Sequence, residues 1–418
     1  MEIPELFNAA LLAKLEALAG TPCFVYDEAA IRRQTETMKQ FPAPFGLFPR
    51  YAMKACPTRA ILSIIAEQGI GIDASSGFEV DRALRAGIEP EAISLSTQEL
   101  PADFGQWIRK GVKLNACSLS QLRRYGQEFP NTKVGIRFNP GLGSGGTAKT
   151  NVGGPSSSFG IWHEQKEEVA AILAEFNLTA ERIHTHIGSG SDPSVWQRTA
   201  HLSLALVREF DTVESLNLGG GYKVARMPDE VSTDLLKIGE PVAAALTAFA
   251  EETGRKIRLE IEPGTFVVAN AGYLVSQVQD IVNTGPGGHQ FIKLNSGMTE
   301  LLRPSLYAAQ HPISIIPRDA DGSDRPKEQY VIVGHCCESG DLVTPAPEDG
   351  ETLASREFPR VEIGDWCIIG GAGAYCSAMS TKNYNSFPET AETLLNPNGD
   401  LSLIRRRQTL DQLLSNEI

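Results

Sequence analysis

The chain predicts a (β/α)8 barrel followed by a mainly β domain. Three observations carry this. Eight β-rich runs alternate with helical stretches between about residues 45 and 265. Polar and reactive residues collect where those runs end. After roughly residue 275 the alternation stops.

The runs, in order, are LFPRYAMKA (47–55), GIGIDASS (69–76), AISLSTQ (92–98), VKLNACS (112–118), VGIRFNP (134–140), RIHTHIGSG (182–190), ESLNLGGG (214–221) and IRLEIEPG (257–264). Between them, segments such as TRAILSIIAEQG (58–69) and GFEVDRALRAG (77–87) carry apolar residues at helical spacing. A doubly wound open sheet is the alternative, but it usually has fewer strands. Later runs, YLVSQVQDIV (273–282), HQFIKLNSG (289–297), EQYVIVGHCC (328–337) and DWCIIGGAGAY (365–375), read as strands joined by turns. LIRRRQTLDQLLSNEI (403–418) reads as a terminal amphipathic helix. The expected domains are therefore 1–27, a helix and the strand PCFVYD packing with the β domain; 28–275, the barrel; and 276–418, the β domain with its final helix. PCFVYD could instead lead into the barrel.

The chain has 418 residues, 42% of them hydrophobic, and a net charge of −13 without long acidic runs. That is a globular composition, and it argues against nucleic acid as a partner. No run approaches the ~20 apolar residues that span a bilayer. The N-terminus lacks a signal-peptide pattern, so a cytoplasmic protein without membrane partners is expected. Seven cysteines show no zinc-finger spacing and read as reduced thiols, and no metal site is expected.

Barrel enzymes place their chemistry at the C-terminal ends of the strands. Here those ends hold Lys54, Asp73, Arg137, His186, the glycines Gly219, Gly220 and Gly221, and Glu262. Lys54 offers the primary amine that an aldehyde cofactor needs. Glu262 could keep a pyridine nitrogen protonated, and Glu260 is expected to alternate with it, so that only one points inward. The glycine run and Gly188–Ser189–Gly190 suit a phosphate. His186 could stack on a ring, with His184 alternating behind it. Arg303 and Tyr307 could clamp a carboxylate. Cys337, Glu338 and Asp341 put a thiol and two carboxylates near a turn, and Tyr375 lies among small residues. Each has a plainer reading alone: a rim lysine, a structural ion pair, tight turns, a core histidine. The Gly/Ser-rich stretch at 141–158 is long enough for a lid or cofactor cover.

YAMKA, DASSGFE, HIGSG, LNLGGG, EPG, RPSLYxAxH, CESGD and GAYCSAMSTKNYN follow one another nearly end to end. In that order they resemble the alanine-racemase-fold decarboxylases that use pyridoxal 5'-phosphate, and most of all the diaminopimelate decarboxylase family. The resemblance implies roles. Lys54 would join the cofactor and His186 stack on its ring. Ser189, Gly219, Gly220, Gly221 and Tyr375 would bind its phosphate. Glu262, with Pro263, Gly264 and Thr265, would line the ring, Glu262 meeting the nitrogen. Arg303 and Tyr307 would hold the substrate's distal carboxylate, with Tyr375 also reaching the substrate. Glu338 would hold the distal amino group, and Cys337 would deliver the proton after carbon dioxide leaves. Cys337 and Glu338 would serve the other subunit of a homodimer. The implied reaction is meso-2,6-diaminopimelate to L-lysine, the last step of lysine biosynthesis.

Two departures stand out. The family's arginine after EPG is Thr265 here, and Lys223 or Arg226 could supply a replacement cation. The 141–158 stretch lacks the family's THxxxxTG pattern and the lysine before Phe159. Decarboxylases of ornithine, lysine, arginine or carboxynorspermidine are the alternatives. A racemase, or a catalytically silent binding protein, fits less well, because the chain keeps both Lys54 and Cys337.

Overall fold

A computed structural model describes residues 7–143, 153–188, 192–318 and 325–418. The chain forms two compact units: Arg32–Val224 with Val231–Val267, and Met1–Ile31 with Ala225–Glu230 and Val268–Ile418.

The chain opens with a helix, Ala9–Ala19, whose first turn is capped by the Asn8 side chain accepting the Leu11 N–H at 3.0 Å. Leu12 and Leu15 on one face are buried. Strand β1 (Cys23–Asp27) follows.

The larger unit is a closed barrel of parallel strands: β2 (Leu47–Ala52), β3 (Gly71–Ala74), β4 (Ile93–Leu95), β5 (Lys113–Ala116) and β6 (Lys133–Asn139), flanked by the short β7 (Ile161–Trp162), then β8 (Thr179–Thr185), β9 (Ser215–Asn217) and β10 (Arg258–Ile261). β10 returns to β2 through Leu259↔Leu47, Glu260↔Phe48 and Ile261↔Pro49, which closes the ring of eight. The expected barrel is therefore present, and the open-sheet alternative is excluded. Serine caps start two of the barrel helices just past strand ends: Ser76 accepts from Glu79 N–H, and Ser118 from Gln121 N–H, both at 3.1 Å. These caps turn the chain sharply and leave the strand ends open to ligand.

The barrel interior is polar and layered. In the lower layer Glu260 accepts from Arg50 Nε at 2.9 Å and Arg182 Nε at 3.1 Å, and Arg182 also donates to Asn115 Oδ1 at 3.1 Å. Asn115 in turn donates to Ser94 and Ser96. Gly135 leaves room for this layer, since a Cβ there would lie 2.1 Å from Asn115 Oδ1. Glu260 and Glu262 are both buried, 5% and 4% exposed. Only one was expected inward, but residues two apart on a strand share a face. The two carboxylates occupy successive layers.

The second unit holds a mixed sheet of nine strands. They are β1, β11 (Gly272–Asn283), β12 (Gln290–Leu294), β13 (Ile313–Ile316), β14 (Lys327–Val333), β17 (Arg356–Pro359), β18 (Trp366–Ile369), β19 (Ala391–Leu395) and β20 (Leu401–Arg405); β15 (Pro345–Ala346) and β16 (Asp349–Leu353) pair separately. β1 lies between β11, antiparallel to it, and β19, parallel to it. The first helix packs Leu12 and Leu15 into a core with Val25, Tyr273, Val275 and Ile368. The segment read as a long terminal helix is mostly not one. Leu401–Arg405 pairs with β19, and only Leu410–Leu414 is helical, behind a Thr409–Gln412 capping box. Among the described residues no helix is long and apolar enough to cross a membrane.

Candidate active site at the C-terminal end of the barrel

Strand β2 ends at Ala52, and a single 3-10 turn, Met53–Ala55, presents Lys54. Met53 and Ala55 are buried, while Lys54 is exposed. The Ala52 N–H donates to Pro263 O at 3.2 Å, which ties this turn to the EPG turn after β10. Gly264 permits the approach: a Cβ there would lie 3.1 Å from Ala52 O. Lys54, Cys117, Arg137, Phe159 and His186 all line one cavity of about 590 Å³, which extends over Ser75–Phe78 and Ser96–Glu99.

Behind the cavity lies the upper polar layer. Glu262 Oε1 accepts from Asn217 Nδ2 at 2.5 Å, and its Oε2 lies 3.3 Å from His184 Nε2. Burial alone would raise the Glu262 carboxyl. The imidazoles of His184 and His186 and the Asn217 amide more than offset it, so its pKa is lowered and it stays ionised. Asp73 goes the other way: burial and the Glu262 charge push it well above its ordinary value, against Lys54 and Arg137. His186 is held well below its ordinary value by burial, Arg137 and Lys54, so its ring is neutral. Among the described residues, Asp73 Oδ1 and His186 Nδ1 are buried without a hydrogen-bond partner.

The glycine turn after β9 is built into this layer. Gly219 (φ +71) donates its N–H to Asn217 Oδ1 at 2.8 Å, and its carbonyl accepts the Glu262 N–H at 2.8 Å. A Cβ at Gly219 would sit 2.7 Å from the His186 ring, and one at Gly220 would sit 2.4 Å from Glu262 O. Glycine is thus needed for close packing of ring and strand end, and Gly221 (φ +104) completes the left-handed turn. Ser189 and Gly190 lie outside the described residues, as do 144–152 of the long Gly/Ser-rich stretch. That stretch is anchored by Asn139, which pairs with Gly154 at both N–H and C=O, each 2.9 Å.

In the second unit, Arg303 and Tyr307 lie on a short helix, Arg303–Tyr307. Arg303 Nη1 is 3.0 Å from His311 Nε2, and the Tyr307 hydroxyl is 3.9 Å from Met379 Sδ. Tyr375 adopts a left-handed φ of +56. Cys337 is the one exposed thiol of seven free cysteines. Its N–H donates to Asn385 Oδ1 at 2.8 Å, and Tyr384 donates to Glu338 at 3.4 Å. Asp341 holds this loop, accepting from Cys336 N–H at 2.8 Å and Met298 N–H at 2.7 Å.

The structure thus brings Lys54, His186, Gly219–Gly221 and Glu262–Thr265 together at one barrel end. Within the other unit it groups Cys337 with Glu338, and Arg303 with His311. The sequence reading gave no role to Asp73 or Arg137, and it missed Asn217 and Cys117. Asn217 stands two positions before Gly219, a spacing that puts it on the inner face of β9.

Residues 28–269 match the family model of the pyridoxal-dependent decarboxylase, pyridoxal binding domain. The chain belongs to the pyridoxal-dependent decarboxylases. Its relatives carry a more specific name. It is 35% identical to diaminopimelate decarboxylase of Streptomyces coelicolor, over 100% of this chain and 93% of that protein. A crystal structure of diaminopimelate decarboxylase superposes with a TM-score of 0.91 at 34% identity, covering 99% of both chains. The Helicobacter pylori enzyme complexed with L-lysine gives 0.84 at 27% identity, over 97% of this chain and 99% of that one.

Proposed function

We propose that this protein decarboxylates meso-2,6-diaminopimelate to L-lysine and carbon dioxide with pyridoxal 5'-phosphate. The observation that carries the reading is the convergence of the Lys54 amine and the His186 ring on one cavity, with ionised Glu262 behind. The similarity to diaminopimelate decarboxylases along the whole chain supports the substrate.

The residues fit the cofactor. The partnerless His186 Nδ1 and Asp73 Oδ1 at a roomy, polar strand end are what a site built for a polar ring would leave. When bound, the cofactor supplies an aldehyde that condenses with amines and a protonated ring that takes up the electron pair left by departing carbon dioxide. Lys54 provides the amine, and substrate would displace it. Glu262, ionised, holds a proton on the ring nitrogen. His186, neutral and braced by Gly219, offers a flat face to the ring without adding a competing charge. The N–H groups of Gly219–Gly221, with Ser189 and Tyr375, suit the phosphate. Arg303, Tyr307 and Glu338 suit the distal carboxylate and amine, and the Cys337 thiol suits proton delivery. The working unit is a homodimer in which Cys337 and Glu338 serve the partner's barrel.

Carbon dioxide release should be measured from meso-diaminopimelate, L- and D-lysine, ornithine and arginine. Diaminopimelate is expected to dominate; preference for any of the others replaces this reading. Purified protein should show a cofactor absorbance band that Lys54→Ala abolishes. Protein that neither carries nor takes up the cofactor would remove the basis for the proposal.

A further inference from the structure

Arg226 lies in the loop after the glycine turn and is buried, 7% exposed. Its Nε donates to Gly371 O at 3.0 Å, which fixes the plane of the guanidinium. Gly371 has φ +64, and a Cβ there would lie 2.8 Å from Arg226 Cδ, so the glycine also makes room for the side chain. The loop is pinned on either side. Asn270 Nδ2 donates to Ala225 O at 2.9 Å, and Glu230 accepts the backbone N–H groups of Arg226 and Met227 at 2.6 and 3.1 Å.

A second guanidinium is linked to the first through the same backbone. His311 Nδ1 is 2.8 Å from Gly370 O, and its Nε2 is 3.0 Å from Arg303 Nη1. A carbonyl can only accept, so Nδ1 carries the proton and Nε2 accepts from Arg303. Burial, with both arginine charges, holds His311 well below its ordinary pKa, which agrees with a neutral ring. His311 therefore aims Arg303 without contributing charge. Among the described residues Arg303 forms no ion pair. Burial and the Arg303 charge lower Arg226 to about 9, so it remains protonated at neutral pH.

Two buried cations that repel each other, each held in orientation by backbone carbonyls or a neutral ring, are a site prepared for an oxyanion. We propose that Arg226 joins Arg303 in binding the carboxylate that the substrate keeps, with His311 as a positioning residue for Arg303. The inference rests on the decarboxylase reading above. A carboxylate and the cofactor phosphate share the chemistry that two guanidiniums recognise, and the choice of carboxylate follows from the glycine turn already suited to phosphate.

The test uses holoenzyme and two probes. L-Lysine has a carboxylate; cadaverine is the same chain without it. Arg226→Gln should weaken L-lysine about 10- to 100-fold, the range for a lost charge-assisted hydrogen bond. Cadaverine affinity and the cofactor dissociation constant should stay within about twofold. Arg226→Lys, which keeps the charge and loses the fork, should fall between, and it carries the test if the Gln variant does not fold. Equal weakening of both probes, or no weakening, overturns the proposal. So does loss of cofactor affinity with the probe ratio intact, which would assign the arginine to phosphate. Failure of the functional reading is a separate result: wild-type enzyme releasing no carbon dioxide from meso-diaminopimelate.

Discussion

Glu262 and Asp73 face one barrel interior and hold opposite charge states, and the difference comes from their neighbours. Glu262 has an amide donor and two imidazoles; Asp73 has burial and the Glu262 charge against it. Splitting two carboxyls in this way sets one up as a permanent acceptor. Glu262→Gln removes the charge but keeps the shape. The variant is expected to retain the cofactor band while kcat falls by about 10²-fold or more, the scale of losing one placed electrostatic partner; an unchanged kcat would take Glu262 out of the chemistry. In the second unit, Glu300 offers a pH readout. Burial raises it from 4.5 to about 7, with Asp341 adding and the Thr299 and Gly297 donors and Arg407 opposing. Between those values the folded state keeps a proton that the unfolded state has released, so stability falls as pH rises through the window. Glu300→Gln removes that fall, on the order of 3 kcal/mol. The thermal midpoint of the variant should therefore gain on wild type from pH 5 to pH 8, and parallel curves would contradict the shift.

At the scale of elements, the barrel was legible because each strand is a short apolar run closed by small or polar residues and followed by helical spacing. Lys54, His186 and Glu262 were legible because such residues at strand ends face the open mouth of a barrel. The layered interior was not. Arg50, Arg182, Asn115 and Glu260 come from four strands far apart in sequence, and only ring closure makes them neighbours. Leu401–Arg405 failed for a related reason: its arginines read as an exposed helix face, whereas pairing with β19 decides its conformation. The lower layer also carries a stability test. Glu260 is held below its ordinary pKa, burial being outweighed by Arg182 and Arg50. Glu260→Gln would leave two buried guanidiniums without their anion, at a cost of about 3–5 kcal/mol. Urea unfolding of the variant should show that loss; a change under about 1 kcal/mol would mean that the arginines find other partners.

For the whole molecule, the proposed sharing of sites between subunits has a direct test. Lys54→Ala and Cys337→Ala should each be inactive. Each lesion would lie in a different half of a composite site, so mixing the two after subunit exchange should restore about a quarter of wild-type activity, one intact site in each mixed dimer. No recovery in demonstrably mixed dimers would confine each site to a single chain.

Strand β1 lies between partners at 272–275 and 391–395. During synthesis it leaves the ribosome first, yet neither neighbour exists until every barrel strand has been made. The growing chain thus carries an unpaired apolar strand throughout translation, and the sheet becomes complete only near the carboxyl end. A fragment stopped before residue 391 would keep the entire barrel and leave β1 with one open edge, a ready template for aggregation.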